Sequence, residues 1–99
     1  MSDLVALQQA ALTAEQAMAD YCLTVQTRRR EQHPDDVIAR CTWDDAEQAE
    51  LDRLRDAYLA AAAAVVAHPD LAAARERGEH YKVWSDSKTE AKKALAAAA

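Results

Sequence analysis

The residues able to do chemistry are few, and their spacing keeps them apart. Three histidines (His33, His68, His80) and two cysteines (Cys22, Cys41) are the imidazoles and thiols available for metal ligation or nucleophile-base chemistry. No two of them lie at the i,i+4 spacing that stacks metal ligands on one helical face. His33 and His68 each precede Pro-Asp and read as turn histidines at opposite ends of a folded-back chain. One reversal could gather Cys22, Cys41 and His33, the one candidate metal or small-molecule cluster. There is no Cys-x-x-Cys, no Gly-rich phosphate loop, no Ser/His/Asp grouping and no isolated carboxylate pair. The expectation is a non-enzymatic protein without catalytic residues, metal or cofactor. Both thiols are expected to be reduced in a cytoplasm, with a single disulfide as the alternative.

Two other groups have binding character. Tyr81, Lys82, Val83 and Trp84 form a short aromatic-basic stretch in which Tyr81 and Trp84, three apart, share a helical face. In a chain with five aromatics these are the best anchors for a protein partner, or a cap on the core opposite Leu54. Arg28-Arg29-Arg30 suits the negative end of a helix dipole, and can also contact phosphate or an acidic partner.

Composition says what must position these groups. The chain has 99 residues, 25 of them Ala, 16 Leu, Ile or Val and no Phe; Gly occurs once, Pro twice and Asn never. Such poverty in turn formers, with abundant Ala, Glu, Gln and Arg, specifies helices. The length supports one helical domain, 1–99. A formal net charge of −5 argues against nucleic acid, and the longest apolar run, 59–67, is too short to span a membrane. The first residues lack a basic-then-apolar leader pattern. Eight Arg against four Lys point to a GC-rich, bacterial or phage genome.

Heptads locate three segments. Leu4, Leu7, Ala11, Ala14, Met18, Tyr21 and Val25 form one seam on a helix of about 3–32, with Ser2 or Asp3 as N-cap. Pro34 breaks it, and one or two helical turns can follow over 35–40. Thr42 starts the second helix, about 43–67, through a Thr42–Asp45 capping box. The third runs about 70–97, with possible breaks near Gly78 or at 85–87, and a tail 96–99 that frays.

Seam residues of the first two helices pair with number sums of 75 or 76, which places the reversal inside the Pro34–Thr42 break. A second reversal at His68-Pro69 sets 44–56, net −4, against 81–93, net +2, with Leu54 near Trp84 and Trp43 near Leu95. The fold expected is all-α, an antiparallel three-helix bundle. The alternative is a long helical hairpin that dimerises into a four-helix bundle. A core this rich in Ala buries little area, so self-association is expected.

Two resemblances attach to short motifs. A basic helix end followed by His33-Pro34-Asp35, with Asp56-Ala57-Tyr58-Leu59 in the next helix, resembles J-domain co-chaperones. It implies an accessory role through that corner, although the tripeptide recurs at His68. The length, the paired helices and Trp43 at the turn resemble the WXG100 family of secreted helical hairpins, with Asp45 where that motif has Gly. The reading preferred is a cytoplasmic protein–protein interaction or assembly module.

Overall fold

The first heptad seam becomes one unbroken helix, α1 (Asp3–Gln32), in a computed structural model that describes residues 3–99. Four more helices follow: α2 (Val37–Cys41), α3 (Asp45–Val66), α4 (Pro69–Glu76) and α5 (His80–Ala98). The fold is an all-α bundle. Asp3 occupies the first turn of α1, and the other N-cap candidate, Ser2, lies outside the described residues.

Local chemistry explains each boundary. Pro34 stops α1, and the Asp36 carboxylate caps α2 by accepting from the Ala39 amide at 3.0 Å. The capping box of α3 lies two residues beyond Thr42–Asp45. The Asp44 carboxylate accepts from the Glu47 amide at 2.7 Å, and Glu47 accepts from the Asp44 amide at 2.9 Å. Two carboxylates at the positive end of a helix make the stronger cap. Thr42 instead closes α2, donating its hydroxyl to the Ile38 carbonyl at 2.6 Å.

α1 and α3 pair antiparallel in the expected register. Ala11 and Val65, with a sum of 76, share the core cluster. At the far end Arg28 and Arg29 both reach Glu47, sums of 75 and 76.

The second reversal falls elsewhere. His68 caps α4, its Nδ1 accepting from the Asp70 amide at 3.0 Å, and the chain bends by 49° between residues 37–66 and α4. The turn back comes at Gly78, ten residues after His68, with φ of 72°. There the Gly78 amide donates to the Arg75 carbonyl and the Glu79 amide to the Ala74 carbonyl, closing α4 as a left-handed glycine allows. The break near 78 is therefore present. At 85–87 the helix continues, because Ser87 spends its hydroxyl on the Trp84 carbonyl, one turn back, at 2.8 Å. The alanine tail continues α5 to Ala98.

This later turn rearranges the bundle. α5 packs on α1 and α4, and no comparable packing joins it to α3. It runs parallel to α1: Gln8 meets Trp84 and Ser87, and farther on Gln16 and Asp20 lie beside Leu95 and Ala99. The expected pairing of 44–56 with 81–93 is absent. Arg53 and Arg55 pair within α3, with Glu50 and Asp52. Trp43 packs edge-to-face on Tyr21, not near Leu95, and Trp84 joins Leu4, Ala11, Val65 and Leu71 rather than Leu54. The result is a rod of 56 × 26 × 19 Å. Its radius of gyration, 17.6 Å, exceeds the roughly 13 Å of a compact 100-residue domain.

Gly78→Ala tests the turn. A mid-helix glycine replaced by Ala would stabilise; at this left-handed position nothing crowds a Cβ, yet the backbone conformation is strained for an L-residue. Denaturant unfolding is expected to show a loss of about 1–2 kcal/mol.

Candidate functional site

The Tyr81–Trp84 stretch divides between core and surface. α5 begins one residue before it, and helical spacing turns Val83 and Trp84 inward to half-buried positions on the core. Tyr81 remains 77% exposed and Lys82 exposed. The Tyr81 and Trp84 rings lie 6.3 Å apart, tilted by 32°. The cation over the Trp84 ring is the Lys88 ammonium, at 4.9 Å, one helical turn beyond the indole. A half-buried and an exposed aromatic are thus neighbours on one helix.

Trp84 also forms a wall of the open side of the bundle. Because α3 and α5 do not close on each other, a groove of about 230 Å³ lies over α1. Leu12 and Glu15 lie on its α1 floor, Tyr58, Ala62 and Val66 on the α3 wall, and Trp84 and Lys88 on the α5 wall. Glu15 and Lys88 therefore place opposite charges at an apolar cleft. Beneath it the Gln8 amide, buried, donates to the Trp84 carbonyl at 3.3 Å and to the Ser87 hydroxyl at 3.2 Å, tying α5 to α1.

The other end holds a charged latch. Arg28 donates to Glu47 at 2.8 Å; Arg29 donates to Glu47 and to the Ala39 carbonyl, and stands 3.7 Å from Asp44. The Asp44 amide, then Arg28, then Arg29 hold the Glu47 carboxyl down at about 2, from an ordinary 4.5. The arginine run was legible as C-terminal helix charge; that two of its three members bind α3 was not. The signal was available in the number sum, since Arg28 continues the seam that Val25 ends and Arg29 stands beside it.

The candidate metal cluster does not form. Cys22 is half-buried and Cys41 exposed, both free, and among the described residues no three His, Cys, Asp or Glu side chains are placed to hold a metal ion. The two His-Pro-Asp tripeptides do different structural work. His68 is itself a cap, whereas at the first corner the cap is Asp36.

The latch yields a pH dependence with a definite sign. Folding lowers the Glu47 pKa, so its contribution is complete above about 4.5 and disappears as the pH falls towards 2. Glu47→Gln is therefore expected to lower the Tm at neutral pH, with the gap from wild type closing between pH 4.5 and 2. Thermal unfolding across that range checks this; a gap independent of pH contradicts it.

Neither a protein-family model, nor a curated protein, nor a solved structure matches this chain.

Proposed function

We propose that the chain is a non-enzymatic helical interaction module, a cytoplasmic assembly protein of bacterial or phage origin that associates with a second copy of itself. The observation that carries the reading is the unfilled side of the bundle: α3 and α5 both pack on α1 but not on each other. Burial supports it. The buried apolar residues are Leu4, Ala11, Val25, Val65, Leu71, Ala74 and Ala91, three of them alanines. Meanwhile Val66, on the α3 wall of the groove, is 53% exposed, and elsewhere Leu59 on α3 is 55% and Leu23 on α1 61% exposed. A second copy suits this surface better than an unrelated partner, because Glu15 and Lys88 on one groove are complementary to the same pair on a copy turned about a two-fold axis.

Protein partners are favoured over the alternatives by charge and shape. The net charge of −5 disfavours a nucleic-acid backbone, and no single helix among the described residues is long and apolar enough to cross a membrane. Tyr81, exposed beside Trp84, extends the same side of α5.

Sedimentation equilibrium tests the reading. The wild-type chain is expected to exceed its 10.9 kDa monomer mass at micromolar concentration. Leu59→Lys and Val66→Lys, both at exposed positions, are expected to weaken association at least tenfold with unchanged helicity. A well-folded wild-type monomer at high concentration overturns it.

A further inference from the structure

At the corner between α1 and α3, two arginines stand outside the latch. Four guanidinium groups, from Arg28, Arg29, Arg30 and Arg40, belong to the end of α1 and to α2. Of the acids at this corner, Asp44 and Glu47 are committed to Arg28, Arg29 and the capping box and Asp36 to the Ala39 amide, while Glu31, Asp35 and Asp45 are exposed and bond to neither Arg30 nor Arg40. Arg30 and Arg40 have no side-chain partner among the described residues, in a chain where acids outnumber bases by five. Both line one open cleft of about 410 Å³, together with Gln26, Cys41 and Trp43.

The cleft has parts of three kinds. Two unpaired guanidiniums supply planar forks of donors that fit an oxyanion. Gln26 adds an amide able to donate or accept. Trp43 supplies ring surface, held by the edge-to-face contact with Tyr21 at 6.1 Å and 76°. A flat ring on Trp43 and an anionic group between two arginines make one ligand of defined chemistry, and the space lies in the range of small-molecule sites.

The geometry points to a binding site for a small planar aromatic oxyanion, an aryl phosphate or aryl carboxylate, between Arg30, Arg40 and Trp43. It lies at the opposite end of the rod from the Trp84 groove and does not depend on self-association.

NMR of the full chain tests it, because the two tryptophans give two indole N–H signals. Phenyl phosphate, benzoate, inorganic phosphate and phenol are titrated in turn. Phenyl phosphate or benzoate is expected to move the Trp43 signal saturably at millimolar concentration or below and to leave Trp84 in place; the stronger of the two identifies the anion. Inorganic phosphate is expected to bind more weakly and phenol not at all. Arg30→Gln and Arg40→Gln are each expected to weaken binding about tenfold, as the loss of one charged hydrogen bond does. Arg75→Gln, at an exposed arginine far from the cleft in sequence, is expected to change nothing. The proposal is overturned if neither aryl anion moves Trp43, if phenol binds as well, or if both variants at the cleft, folded as judged by circular dichroism, bind like wild type.

Discussion

The packing of α5 turns on one contact, the seating of its first turns on the first turns of α1. Leu4 and Ala11 meet Val65 and Leu71 there, Trp84 and Val83 pack on the outside, and the Gln8 amide bonds to α5 beneath the indole. A buried amide with its donors satisfied fixes register in a way that alanines, with little shape and little area, do not. The same contact explains the open side. α5 follows α1 rather than α3, so the third face of the bundle stays uncovered, and Tyr58, Ala62 and Trp84 line a groove instead of a core.

The far end is stabilised by a different kind of interaction. Beyond Asp20 the rod is α1 and α3 with the short α2 against α1, Val25 fully buried and the Glu47 latch at its tip. Glu47 is 6% exposed and the Arg29 side chain 12%, so their pairing is shielded from solvent more than the pairs along the α3 surface. The Nε of Arg29 is buried without a partner, which makes the latch a constraint on geometry as much as a source of stability. Arg30, next in sequence, is left outside this network and lines the cleft with Arg40.

The α1–α3 half of the fold was legible because its signals are redundant. The heptads, the proline break and the number sums all place the same reversal, and Arg28 and Arg29 with Glu47 extend the sum to the end. The α4–α5 half was not, because two cues were ambiguous. His68-Pro69 reads equally as a full reversal or as a bend into a new helix. Gly78 reads as a weak point in a long helix or as the left-handed residue that ends a short one, and the structure takes the second option at both positions. That displaced every contact expected of 81–93. Tyr81 and Trp84 were identifiable as a pair on one face from spacing alone. Which of them is buried depends on the helix they meet, and nothing local to them specifies that it is α1.

The claim that α1 is the shared spine is open to a direct measurement, nuclear Overhauser spectroscopy on the side chains of the folded chain. The packing described requires cross-peaks from the Trp84 indole to the Gln8–Leu12 turn of α1, and none between residues 44–56 and 81–93. Cross-peaks joining Trp84 to Leu54 would contradict it, and would restore a bundle in which the second and third long helices pair along their lengths.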